Sequence, residues 1–94
     1  MQQLTLREVI KNIDRYDEAL TVSFFCKQIS AQSICMLVTD EEIDIYKNNI
    51  NIGLYIIQDV LDNLRIQKEN YTEQEAINAI NFYIQNDAFI DILT

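Results

Sequence analysis

The chain has no histidine, no proline, no tryptophan and a single glycine, and only two of its 94 residues are cysteine. Without histidine, the commonest general base and a leading metal ligand are both missing. A single glycine cannot build the loop that cradles a phosphate, and no serine sits in a nucleophile elbow. A cysteine nucleophile would lack the histidine that usually activates it. Cys26 and Cys35 stand nine positions apart, which fits neither a disulfide scaffold nor a zinc site, so they read as reduced, buried thiols. No apolar stretch approaches the ~18 residues of a membrane span, because Gln58, Asp59 and Asp62 interrupt the longest ones. The N-terminus lacks the basic-then-apolar layout of a signal peptide. These absences point to a cytoplasmic protein that is not an enzyme and needs no cofactor or metal.

Basic residues are scarce too, and unevenly placed. From Met1 to Thr39 the acids Glu8, Asp14, Asp17 and Glu18 are matched by Arg7, Lys11, Arg15 and Lys27. From Asp40 to Thr94, eleven acids face only Lys47, Arg65 and Lys68, which accounts for the whole net charge of -8. A concentrated acidic surface repels nucleic acid and attracts basic proteins. With half its residues apolar and no linker, repeat or low-complexity tract, residues 1–94 read as one ordered domain. A chain of this length buries roughly 60–65% of its extended surface, enough for one core.

Thr5 followed by Glu8 is a capping box, and Leu6, Val9, Ile10 and Ile13 continue as a helical stripe towards Tyr16, with Leu4 placed to staple on Val9. Leu20-Thr21-Val22-Ser23-Phe24-Phe25-Cys26 alternates as a strand whose Leu20, Val22, Phe24 and Cys26 face the core. Ser33 to Thr39 reads as the returning strand of a hairpin. Its more apolar set, Ile34, Met36 and Val38, is expected inward, which puts Cys35 on the other side of the sheet from Cys26. Asp40 to Tyr46 reads as a short helix or a partly extended loop, the helix being favoured by its acidic first turn. Lys47 to Asn51 reads as a break, after which Gly53 opens a helix ending near Gln67, with Leu54, Ile57, Val60, Leu61 and Leu64 as its inner stripe. Thr72 with Glu75 repeats the capping box, with Tyr71 placed to staple on Ala76. The last helix buries Ala76, Ile77, Ile80, Tyr83 and Ile84 and runs to Asn86, before Ala88 to Leu93 closes the core as a turn or short strand. The expected fold is α+β: an N-terminal helix, a small antiparallel hairpin sheet, then two or three C-terminal helices packed on one face.

Asp40, Glu42 and Asp44 start like a calcium loop, which then fails, since Ile45 and Asn51 occupy the positions that need glycine and a bidentate glutamate. Fifteen acids offer many carboxylate pairs, but a chain this short rarely folds round the cleft a glycosidase requires. Two constellations remain. The Asp40–Asp44 cluster is either a solvated helix start or a negative knob for a basic groove, with Tyr46 beside it as an anchor. Tyr55, Asp59, Asp62 and Ile66 fall on one helical stripe; either Tyr55 and Ile66 complete the core, or the stripe is an interface edged by charge.

The opening Thr5-Leu6-Arg7-Glu8-Val9-Ile10-Lys11-Asn12-Ile13-Asp14, the central Gly53-Leu54-Tyr55 with Val60-Leu61, and Tyr83-Ile84-Gln85-Asn86-Asp87-Ala88 resemble a group of short bacterial proteins over most of the chain. Small acidic single domains of this kind are similar to immunity proteins of contact-dependent or secreted toxin systems. That resemblance implies a protein that neutralises a basic toxin, usually a nuclease, by tight binding; it carries no catalytic residues. The expected partner-binding residues are Asp40, Glu41, Glu42, Asp44, Tyr46, Tyr55, Asp59 and Asp62, with no direct contact to nucleic acid or membrane. The alternatives are a phage-encoded inhibitor of a nucleic-acid enzyme, using the same charge mimicry, and a homo-oligomeric structural adaptor.

Overall fold

The Thr5 and Glu8 pairing that marks a helix start also ends a strand. In the computed structural model, which describes residues 3–92, Gln3–Thr5 forms β1 and Leu6–Lys11 forms α1. The Thr5 hydroxyl accepts from the Glu8 backbone N–H, and the Glu8 carboxylate accepts from the Thr5 N–H, both at 3.3 Å. A helix start leaves its first N–H groups without partners inside the helix. Here those of Leu6 and Arg7 donate to the carbonyls of Ser33 (3.0 Å) and Ala31 (2.9 Å). The apolar stripe overstates the helix: it closes at Lys11, and a 3-10 turn at Ile13–Arg15 carries the chain onward.

Among the described residues the sheet has four strands, where the sequence predicts a hairpin. β2 (Thr21–Phe24), β3 (Ile34–Val38) and β4 (Ile50–Gly53) join β1 in the antiparallel order β1-β3-β2-β4. The hairpin β2–β3 is present, flanked by the two unforeseen edge strands. β4 begins inside the expected break and runs on to the glycine before the helix: Ile50 and Ile52 turn to one face of the sheet, and Asn51 stands opposite Ser23 on the other.

The facing of β3 is a correction. Phe24 pairs with Cys35 and Val22 with Leu37, so Cys35 and Leu37 share the helix-covered face with Leu4, Val22, Phe24 and Ile52. Ile34, Met36 and Val38 point the other way. The physical reason is that Met36 and Val38 are buried on the second face while only Ile34 at the strand end is exposed, so the more apolar set does not mark the helix side. On the second face the segment after β3 folds back: Asn49 Nδ2 donates to Ser23 Oγ at 3.1 Å, Asn51 Nδ2 donates to the Tyr46 carbonyl at 2.9 Å, and the Phe25 and Tyr46 rings meet edge-on at 6.1 Å. Ser23 and Val38 are fully buried as a result. Residues Asp40 to Tyr46 supply no α-helix to the helical layer; they contain a 3-10 turn at Ile43–Tyr46.

Cys26 and Cys35 therefore lie on the same face, against the parity expected, and both are free thiols. Burial, with Glu8 and Cys26 adding to it, pushes the Cys35 thiol up to about 12.

α2 (Leu54–Gln67) and α3 (Glu73–Asn86) cover the first face together with α1. The inner stripe of α2, Leu54, Ile57, Val60, Leu61 and Leu64, is buried as its spacing requires. α3 buries Ala76, Ile77, Ala79 and Ile80, with Tyr83 and Ile84 partly covered. Its start is the predicted capping box: the Thr72 hydroxyl accepts from the Glu75 N–H at 3.1 Å, and the Thr72 N–H donates to the Glu75 carboxylate at 3.0 Å. Asp87 ends α3 in the left-handed region, with φ 53°, one that aspartate tolerates better than most residues. Beyond it the chain forms neither helix nor strand as far as Ile92. Gln67 holds it instead, donating to the Ile90 carbonyl and accepting from the Ile92 N–H, each at 2.8 Å. Leu93, the end of the expected closing run, lies outside the described residues. Among the described residues no helix is long and apolar enough to cross a membrane.

Candidate protein-binding surface

Pairing in the sheet decides which acids meet. Thr21 of β2 stands opposite Gly53 of β4, and the Leu54 N–H donates to the Leu20 carbonyl at 2.9 Å. The residues just before β2 are thereby fixed beside the first turn of α2. That segment is itself shaped by Asp17, whose carboxylate accepts from the Ala19 N–H at 2.9 Å while its carbonyl accepts from the Leu20 N–H at 3.0 Å.

Two adjoining surface depressions result, sharing Ala19. One is lined by Asp17, Leu20, Thr39, Asp40 and Glu41, the other by Glu18, Tyr55 and Asp59. No basic side chain lines either. The rim extends towards the end of α3, where the Tyr83 hydroxyl is raised above the usual phenol range by burial first, then by Asp87, and to a smaller degree by Tyr55 and Asp59. Carboxylates in this setting accept hydrogen bonds and attract cations. The ring of Tyr55 lies back over Gly53, where an added Cβ would come within 2.6 Å of its Cε1.

The expected interface residues separate into four groups. Asp40, Glu41, Tyr55 and Asp59 come together at the rim. Tyr55 is 54% and Ile66 85% exposed, so the outer stripe of α2 does not complete the core. Asp62 sits further along that stripe beside Arg65, at a single 3.5 Å contact. Glu42 is turned back onto Thr39, accepting from its N–H and its hydroxyl at 3.0 Å each. Tyr46 belongs to the second face of the sheet, against Phe25, and Asp44 lies in the same 3-10 turn.

Asp17 and Glu18 were not foreseen as part of the surface. They come from the electrically balanced first half, and two consecutive acids before a strand read only as a polar break. Conversely, Glu73 and Glu75 add little free charge. Arg7 grips Glu73 with two contacts at 2.8 and 2.9 Å, and Lys68 reaches Glu75 at 2.9 Å. These contacts hold both carboxyls below the usual carboxylate range, the hydrogen bond from Arg7 or Lys68 being the larger cause in each.

Over the described residues, the fold and this surface define a small α+β domain with three α-helices on one face of a four-stranded antiparallel sheet and an acidic rim where β2 meets α2. The chain belongs to the family described as domain of unknown function DUF7716, whose model matches residues 3–92. No curated protein and no solved structure matches it.

Proposed function

We propose that this domain is a binding protein that captures a basic protein on the rim formed by Asp17, Glu18, Asp40, Glu41, Tyr55 and Asp59. The observation that carries this reading is the convergence of five carboxylates from three separate segments around Ala19, with no basic side chain among them. Such a field speeds encounter with a cationic partner, and exposed tyrosine supplies contact area that slows release. The specific form of the proposal is inhibition: the domain covers the basic surface with which a toxin, of nuclease type, would hold its RNA or DNA. No cofactor or metal takes part.

The test is a pulldown from the source cell with the wild-type chain and with Glu18→Lys/Glu41→Lys/Asp59→Lys. A basic protein recovered by the wild type, released by salt and lost in the variant, supports the proposal. Equal recovery by both, or recovery of nucleic acid in place of protein, refutes it.

A further inference from the structure

A recessed cavity of about 210 Å³ opens between the Ile10–Asp14 segment and α2. That is smaller than the roughly 300 Å³ at which cofactor and drug-sized sites begin, so its occupant is a single side chain or a small ion. Ile10, Ile13 and Leu61 give it an aliphatic wall that suits the stem of a long side chain. Its polar lining is dominated by the carboxylates of Asp14 and Asp62, with Gln58 and Tyr71 beside them; Gln58 Nε2 already donates to the Ile13 carbonyl at 3.4 Å, which leaves its Oε1 as the acceptor it can offer.

Arg65 is the one cation in the lining, and it holds Asp62 loosely. Its single contact is 3.5 Å long, with the Arg65 and Asp62 side chains 59% and 65% exposed. The Arg7–Glu73 fork, at 2.8 and 2.9 Å, shows what a firm pair looks like in this molecule. A long, exposed contact contributes little and leaves Asp62 open to a better donor. Two carboxylates against one guanidinium leave the cavity net negative, which favours a cationic guest. Asp62 and Arg65 also line a second depression with Ile66 and Glu69, so the cavity is continuous with the exposed stripe of α2.

We propose that this cavity is the socket for an arginine side chain of the basic partner; the inference rests on the function proposed above and names its anchor. Arginine fits better than lysine, because its planar fork presents five donors to acceptors on several sides and sheds water more readily. Buried arginines of this kind carry a disproportionate share of binding energy at interfaces.

The experiment is an NMR titration of the full chain with three end-blocked peptides, identical except for a central arginine, lysine or citrulline, and with free arginine amide. The arginine peptide is expected to bind about tenfold more tightly than the citrulline peptide. Its amide shifts should centre on Ile13, Gln58, Leu61 and Tyr71. Asp14→Asn/Asp62→Asn, at two exposed positions that leave the core intact, should reduce arginine binding to the citrulline level. Three outcomes overturn the socket: equal affinity for all three peptides, shifts confined to the Ala19 rim, or arginine amide binding as tightly as the peptide. None of those touches the basic-partner reading, which fails separately if reversing the rim charges leaves capture of the whole partner unchanged.

Discussion

Glu73 and Glu75 at the start of α3 and the carboxylates around Ala19 are the same chemical groups put to different uses. The first two are consumed by the fold: Arg7 and Lys68 neutralise them, and Glu75 also closes the capping box. Among the described residues, Asp17, Glu18, Asp40, Glu41 and Asp59 make no ion pair. The difference teaches that charge along a chain and charge over a surface are separate quantities. Seen linearly, the first half is neutral and the second acidic. In the folded molecule Arg7 of the first half neutralises Glu73 of the second, while Asp17 and Glu18 of the first half join the rim.

The largest effect should come from reversing charge at each place in turn. Glu18→Lys/Glu41→Lys/Asp59→Lys is expected to weaken capture of the basic partner on the order of a hundredfold, mostly through slower association, with thermal stability close to wild type. Glu73→Lys/Glu75→Lys should do the opposite, lowering Tm and leaving capture near the wild-type level. Calorimetric titration together with thermal melts reads both. If the two variants weaken capture equally, net charge alone matters and the contrast between the two regions dissolves.

Next in size is Thr72→Ala, which removes the hydroxyl that accepts from the Glu75 N–H. Loss of a helix cap of this type costs about 1 kcal/mol of stability. Urea unfolding should show that loss, with binding unaffected, because Thr72 lies outside the rim.

A smaller and pH-dependent difference follows from the lowered carboxyl pKa values of Glu73 and Glu75. Both groups bind protons less readily folded than unfolded. Their stabilisation is therefore fully present above the ordinary carboxylate pKa of about 4.3 and is lost as pH falls through the lowered values. Melting curves between pH 6 and pH 2 should fall less steeply for Arg7→Gln/Lys68→Gln than for wild type. Parallel curves would show that these pairs do not set the acid limb.

What was legible in the sequence was local. Thr5 with Glu8 and Thr72 with Glu75 act over three residues, and the two stripes of α2 follow from helical spacing alone, which puts Asp59 and Asp62 on the wet side of one helix and leaves Tyr55 open between core and interface. What escaped depends on contacts between distant segments. β1 is three residues long and exists because β3 lies beside it. β4 carries only Ile50 and Ile52 as alternating apolar residues, and the asparagines between and around them gave a break signal that pairing with β2 overrides. The facing of Cys35 escapes because Ile34 to Val38 contains no polar residue, and Met36 and Val38 are buried on the face away from the helices, so nothing in the run sets its parity. The rim was half legible for the same reason: Asp59 could be read from α2, but its meeting with Glu18 requires the Thr21–Gly53 pairing.

The smallest expected effect isolates Tyr55 from the acids around it. Gly53 has φ -60° and ψ 138°, a backbone that any residue adopts, so its lack of a side chain is not required by the turn itself. What an added Cβ would meet is the ring of Tyr55, at 2.6 Å. In Gly53→Ala the exposed ring can swing away. The poorer N-cap is then offset by the reduced freedom of the unfolded chain, and stability should stay within about 0.5 kcal/mol of wild type. Capture should weaken a few-fold through faster dissociation, because the carboxylates that steer encounter are untouched while the aromatic contact is displaced. Stopped-flow association and dissociation rates separate the two contributions: an unchanged dissociation rate would remove Tyr55 from the binding surface and leave the rim as an electrostatic device alone.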